Sequence, residues 1–354
     1  MKKWRTALIG LGRMGRYHLQ KIDQDPRFDL VAVVDPEQQD ALKLSQSNPK
    51  IVGQVNDIFK LNLTIDCAIV ATPTETHYSV VKYLLEQNIH VLVEKPAASR
   101  YEECVKLVDL ARERALKLAV GHVERGNPVV TALKDVVASG ILGQPVHVST
   151  NRAGAFPAKV KEGNHVILDL AVHDLDIVRM ILGPLTITHA IGHSTSLPGI
   201  YDTAEISLTS SEGISAAVHV NWLTPQKDRR IRLTGSLGSC EVDYISQSCH
   251  IYSRNLQPAL DERQLSWIVS QEQGYDRAEV PVVAQDALSF QLSEFYRYLN
   301  NESHGLAVAE QLTESVLLVE KAVELMGVPA TQRFFHEKKT WQPAYLQASE
   351  VTYN

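Results

Sequence analysis

The chain is poor in cysteine, in aromatic residues and in long apolar runs. It has 354 residues and four cysteines, Cys67, Cys104, Cys240 and Cys249, with no CxxC pair and no metal-like cluster. Scattered cysteines at this density argue against a disulfide framework and fit a reducing compartment. No apolar run approaches the ~18 residues of a membrane span. Ala7-Leu8-Ile9, behind the basic N-terminus, is far too short for the apolar core of a signal peptide. There is no basic stripe and no interleaving of aromatic with basic residues, and the net charge is −6, so nucleic acid is not expected as a partner. Neither internal repeats nor low-complexity tracts are visible. Apolar residues at 44% and charged residues at 21% remain, the balance of a globular chain. The length exceeds one ordinary core, so two domains are expected, and the compartment expected is the cytoplasm.

Through residue 121 short apolar runs alternate with helical patterns. The runs are Thr6–Ile9, Leu30–Val34, Ile51-Val52, Asp66–Ala71, Ile89–Val93 and Leu118–Val120. Helices are expected over Arg13–Asp25, Glu37–Ser45, Glu75–Gln87 and Arg100–Arg114. Fully apolar short strands between helices imply a parallel sheet covered on both faces. The first turn reads Gly10-Leu11-Gly12-Arg13-Met14-Gly15, between a strand and a helix, and Asp35 follows Gly15 by 20 residues. In this context GxGxxG is a dinucleotide fingerprint. Gly10 permits the tight turn, Gly12 lets backbone approach a pyrophosphate, and Gly15 lets helix and strand pack. Asp35 would accept hydrogen bonds from ribose hydroxyls and repel a 2′-phosphate, which favours NAD over NADP. Thr72 and Pro73, at the end of the fourth strand, are candidates for cofactor contacts. His77 would either reach the cofactor or cap the following helix.

Glu94-Lys95-Pro96 ends the fifth strand. Ligands bind at that edge of open α/β sheets. Pro96 biases Lys95 toward extended backbone. A lysine held there, partly desolvated, can exchange protons near neutrality; the alternative is a solvated lysine at a strand end.

His122 to Pro128 marks the passage between domains, 1–121 and 122–354. Pro128 opens a helix that Gly140 ends, and Val146–Ala153 reads as a strand with Arg152 near its end. A helix over His165–Leu182 is mostly apolar, and Asp169, His173 and Asp176 in it share a face at i, i+4 and i+7. A stripe without Lys or Glu on a buried helix suggests a cleft, where Asp169 would orient His173 as an acid/base. A structural Asp–His pair is the alternative. A metal site of His165, Asp169 and His173 lacks thiolates and a tight His pair, so none is expected. Runs at Thr186–Gly192, Ala204–Thr209, Ile214–Trp222, Arg230–Thr234 and Glu241–Ile245 suggest an antiparallel meander. Residues 255–280 look polar and irregular. Helices are expected over Ala287–Asn300 and Ala307–Met326, and 330–354 extended, docking back on the protein.

Together the Gly10–Gly15 turn, Ala71-Thr72-Pro73, Glu94-Lys95-Pro96, Gly121–Pro128 and Asp169-x3-His173 resemble the Gfo/Idh/MocA oxidoreductases along essentially the whole chain. The resemblance implies an α/β protein: an N-terminal Rossmann domain and a C-terminal α/β domain with an open, mostly antiparallel sheet. It implies NAD, a homodimer or homotetramer formed through that sheet, and a sugar or polyol hydroxyl as the reacting group. Lys95, Asp169 and His173 would line the reaction site. Beside these, His122 is a candidate substrate contact and Arg152 a candidate for the substrate's anionic group, with a surface ion pair as the alternative for Arg152. Gly121–Arg125, Asn151–Pro157 and Leu168–Asp176 look like the branch of UDP-N-acetylglucosamine 3-dehydrogenases, although that branch usually carries Phe where Gly126 stands. Inositol or free-sugar dehydrogenases, glycosidases that retain NAD, and NAD-sensing regulators without catalysis remain open alternatives.

Overall fold

The structure is a computed structural model describing residues 3–37, 47–61, 63–154, 165–196, 199–254, 256, 268–272 and 274–327. It divides into two compact units. The first holds the chain up to His122 together with Leu288–Val316; the second holds Val123–Ala287 and the described residues from Leu317. The expectation of a second domain running uninterrupted from 122 is corrected by this return. The tail beyond residue 327, and all but the first residue of the helix expected over Glu37–Ser45, lie outside the described residues.

In the first unit β1 (Trp4–Ile9), β2 (Phe28–Val34), β3 (Lys50–Val52), β4 (Cys67–Val70), β5 (His90–Glu94) and β6 (Leu118–Gly121) form a parallel sheet in the order 3-2-1-4-5-6. This is the doubly wound order, reversing beside β1. Alternation along the strands sorts side chains to two faces. Ala7, Ile9, Val70, Val91 and Val93 join the helices α3 (His77–Glu86) and α4 (Tyr101–Glu113) in one core, and a short helix, α2 (Asp57–Lys60), adds Ile58 to it. Leu8, Leu30, Ile69 and Leu92 face α1 (Arg13–Gln24) in another, and Leu292, Phe295 and Leu299 of the returning helix α7 (Ala287–Leu299) complete that side. Between α7 and α8 (Glu310–Leu325), residues Ala307-Val308 pair antiparallel with β6 as a two-residue strand. The helix expected from Ala307 therefore starts later, because the strand pairing claims its first residues.

In the second unit α5 (Pro128–Ala138) and α6 (Val172–Leu182) lie on a sheet of β7 (Pro145–Ala153), β8 (Leu185–His193), β9 (Thr203–Ser210), β10 (Ser215–Asn221), β11 (Asp228–Gly235), β12 (Gly238–Asp243), β13 (Ser248–Ser253), β14 (Ile268–Glu272) and β15 (Tyr275–Val280). The two-residue strand of the first unit is then β16. The order 14-15-13-12-11-7-10-9-8 is open at both ends, and only the β7–β10 pair is parallel. The sheet is mostly antiparallel, but it is no simple meander, since β7 is wedged between β10 and β11. β14 and β15 fall in the stretch read as irregular. In β15 the buried positions are Asp276, Ala278 and Val280. Asp276 accepts the Leu256 N–H at 2.8 Å, so a polar residue occupies an inward position and the apolar period is broken.

Candidate active site

The dinucleotide turn is built as its spacing requires. Gly10 has φ +95°, and a Cβ there would stand 2.7 Å from the Ala71 carbonyl oxygen. A Cβ on Gly15 would run into the Gly10 carbonyl, so only glycine allows α1 to lie this close to the turn. Beside Gly12 there is open space. The helix α1 begins there with no capping side chain and no acid in its first turn. Its first N–H groups and the positive end of its dipole are left for an anion. Asp35 braces the turn: its Oδ2 accepts from Leu11 N–H at 2.7 Å, its Oδ1 from Glu37 N–H at 2.9 Å.

A cleft of 530 Å³ opens over these residues. Gly10, Gly12, Arg13, Met14, Asp35, Thr72, Pro73, His77, Glu94 and Lys95 all line it. Leu11 and Gly15, also read as cofactor residues, shape the turn from behind: the Leu11 side chain lies in the core under α1. The residues therefore fit a dinucleotide: open backbone at a bare helix start, and a carboxylate beyond it.

His77 has a structural task the sequence did not disclose. It is 1% exposed, and its ring nitrogens meet the carbonyl oxygens of Pro96 (2.7 Å) and Thr72 (2.9 Å). It thus ties the chain after β4 to the chain after β5. Burial pushes its pKa down against the pull of those two carbonyls. Beside it, Glu94 pairs with His18 of α1, Nε2 to Oε1 at 2.7 Å. Burial pushes the Glu94 carboxyl up, but its hydrogen bond to His18 and the charges of His18 and Lys95 outweigh that, and the pKa lies below the ordinary value. His18 was not singled out in the sequence; its place one helical turn after Gly15 was the available signal.

His122 is 4% exposed and shares a hydrogen bond with Ser315 at 3.2 Å, both residues belonging to the first unit.

In the second unit the helix expected over His165–Leu182 starts with a π-turn, Ile167–Ala171, before α6. Such turns recur at functional sites. Asp169 and His173 are half-buried, and Asp169 Oδ2 accepts from the indole N–H of Trp222 at 3.2 Å. His165 Nδ1 accepts the Tyr201 N–H at 3.2 Å. Asp176 does not share an open face with Asp169 and His173: it is 2% exposed and takes a two-pronged hydrogen bond from Arg125, at 2.7 and 2.6 Å.

Arg152 is corrected. It is 1% exposed, neither a surface ion pair nor a cation held out to a substrate. It donates to Asp174 from Nε (2.7 Å) and NH2 (3.2 Å) and to Glu124 from NH1 (2.8 Å), with the Tyr244 ring 5.2 Å from its guanidinium carbon. Burial lowers its pKa, but the two carboxylates outweigh that and hold it charged. Glu124, Asp174 and Tyr244 went unread in the sequence. Asp174 sits directly after His173, so the π-turn and this ion pair together fix the part of α6 that carries His173.

Residues 4–122 match a family described as "Oxidoreductase family, NAD-binding Rossmann fold", and residues 130–241 match its "GFO/IDH/MocA C-terminal domain". The chain belongs to the GFO/IDH/MocA oxidoreductases. As a member it is an NAD-dependent dehydrogenase, with the sheet of the first unit as its NAD-binding Rossmann fold. UDP-N-acetylglucosamine 3-dehydrogenase of Acidithiobacillus ferrooxidans is 28% identical over 255 residues, 71% of this chain and 77% of that one. The scyllo-inositol 2-dehydrogenase (NAD(+)) of Bacillus subtilis is 29% identical over 249 residues, 66% and 72% of the two chains. The solved structure of the A. ferrooxidans enzyme has a TM-score of 0.77 at 23% identity, covering 93% of this chain and 98% of its own. GenD2 from gentamicin A biosynthesis, in complex with NAD, scores 0.76 at 19% identity, with 92% and 95% covered. At these identities the structural likeness describes the GFO/IDH/MocA fold.

Proposed function

We propose that this dehydrogenase holds NAD in the cleft of the first unit and oxidises a secondary hydroxyl of a sugar, C3 of a UDP-N-acetylhexosamine. The observation that carries the reading is Lys95 on the lining of that cleft, at the carboxyl end of β5. Similarity to the A. ferrooxidans enzyme over 71% of the chain supports the choice of sugar. Oxidation removes a hydride from carbon and a proton from the hydroxyl. NAD, when bound, supplies the hydride acceptor. His173 takes the proton, with Asp169 orienting its ring, and Lys95 stabilises the negative charge that develops on the reacting oxygen. The opposite assignment, Lys95 as base and His173 as donor, balances equally well.

A second reading is an inositol or free-sugar dehydrogenase, favoured by the similarity to the B. subtilis inositol enzyme. The two separate in one assay: NADH absorbance with NAD and a panel of UDP-sugars, inositols and free hexoses, with glutamate and a sugar aminotransferase present to draw off product. NADH with UDP-N-acetylglucosamine alone supports the first reading; NADH with inositol or a free hexose overturns it in favour of the second. NAD binding with no NADH from any of them would turn attention to a glycosidase that retains NAD or to a sensor. We further propose a cytoplasmic homodimer or homotetramer, to be checked by light scattering. Among the described residues no helix is long and apolar enough to cross a membrane.

A further inference from the structure

Glu94 is anchored more firmly than a cofactor contact requires. Its side chain lines the cleft assigned to NAD, yet it is only 8% exposed. One oxygen is paired with His18 Nε2 at 2.7 Å, and the other accepts the Lys95 N–H at 3.3 Å. His18 is 2% exposed and its Nδ1 is buried without a hydrogen-bond partner among the described residues. The polar contact of this imidazole is therefore given to Glu94. From β6, Gly121 leaves the carboxylate its room: a Cβ there would stand 3.4 Å from Glu94 Oε1 and 3.1 Å from Gln291 Nε2. Three elements thus fix one carboxylate.

Sheet order says which part of NAD this carboxylate meets. A dinucleotide lies across the crevice where strand order reverses, with its pyrophosphate at the first turn. Asp35 follows β2, on one side of β1; Glu94 ends β5, on the other side, beyond β4. With the adenosine ribose at Asp35, the nicotinamide half falls on the Glu94 side. The nicotinamide ring is cationic when oxidised and neutral when reduced. A fixed anion in a partly water-excluded wall favours the cationic form.

We propose that the charge of Glu94, held in place by His18 and set against the neighbouring Lys95, shifts the ratio of the two affinities toward oxidised NAD over NADH. The inference rests on NAD binding in this cleft and not on the sugar reading, so it stands or falls without a substrate.

The test is a binding titration with no sugar present: NADH fluorescence for the reduced form, and displacement of NADH by NAD for the oxidised. Glu94→Gln keeps the size and removes the charge, while Lys95 stays in both proteins, so the comparison isolates the carboxylate. NAD is expected to bind roughly tenfold more weakly, from one charge at several ångströms in a medium of intermediate polarity. NADH binding is expected to change by less than about twofold on the same argument. Equal weakening of both forms, or of neither, overturns the proposal. His18→Gln gives a second reading, independent of how well the first variant folds. It keeps a donor but loses the imidazole, so burial is left to raise the Glu94 pKa. The titratable groups facing Glu94 are His18 from α1, His77 from α3 and the adjacent Lys95. In H18Q, NAD affinity should rise with pH as the carboxylate ionises, more steeply than in the unaltered protein, while NADH affinity does not. A pH response no steeper than that of the unaltered protein would show that His18 does not hold the charge on Glu94.

Discussion

Arg152 donates to Asp174 from two nitrogens, at 2.7 and 3.2 Å, and each side chain is only 1% exposed. A buried pair of this kind stabilises little relative to apolar residues, but breaking it strands a charge. Asp174→Ala should therefore destabilise by roughly 3–5 kcal/mol. Because Arg152 also holds Glu124 at 2.8 Å, replacing both partners, Arg152→Met with Asp174→Leu, should cost less than the sum of the two single changes. Urea unfolding of the three variants measures this, and additive losses in the double variant would mean the two charges are not coupled.

Lys95→Ala and His173→Ala should each lower turnover by roughly 10²–10⁴-fold, the usual worth of a positioned acid/base. NAD binding should survive in both, since the glycine turn and Asp35 are untouched. Near-normal turnover in either variant would remove that residue from the proposed chemistry.

Gly15→Ala places a Cβ against the Gly10 carbonyl. Backbone there cannot yield without moving the turn, so overpacking should cost roughly 1–3 kcal/mol. NAD affinity should fall with it, because the displaced turn carries the open N–H groups. Thermal unfolding and a cofactor titration on one preparation would show whether the two losses come together.

Asp35→Ala should weaken NAD binding roughly tenfold, the worth of a hydrogen bond to a charged group. It should weaken NADP binding less, because the repulsion of a 2′-phosphate is relieved at the same time. An unchanged NAD to NADP ratio would mean that Asp35 serves only to brace Leu11 and Glu37.

The depressed pKa of Glu94 gives stability a pH dependence of definite sign. Between its folded pKa and the ordinary value of 4.5, the unfolded chain binds the extra proton. The contribution is fully present above 4.5 and fades as pH falls through the folded pKa. Midpoints of unfolding followed downward from neutral pH should drop faster in the unaltered protein than in Glu94→Gln. Parallel curves would mean that the carboxyl titrates alike folded and unfolded.

What could be read in the sequence was local. The Gly10–Gly15 turn, Asp35 and Lys95 stand next to strand ends marked by their own apolar runs, so periodicity and punctuation were enough to place them. Partnerships across the chain were not legible. Glu94 meets His18 from 76 positions away, and Arg152 meets Asp174 from 22; nothing in either neighbourhood names the other. Asp176 matched the spacing of Asp169 and His173, but spacing does not reveal that Arg125 covers it. β15 escaped because Asp276 takes one of its inward positions, and β16 because two residues carry no period.

The return of α7 to the first sheet bears on how the protein is made. Val123–Ala287 must leave the ribosome before Leu292, Phe295 and Leu299 can cover the face formed by Leu8, Leu30 and Leu92. During that interval the nascent cofactor unit shows an apolar wall to the cell.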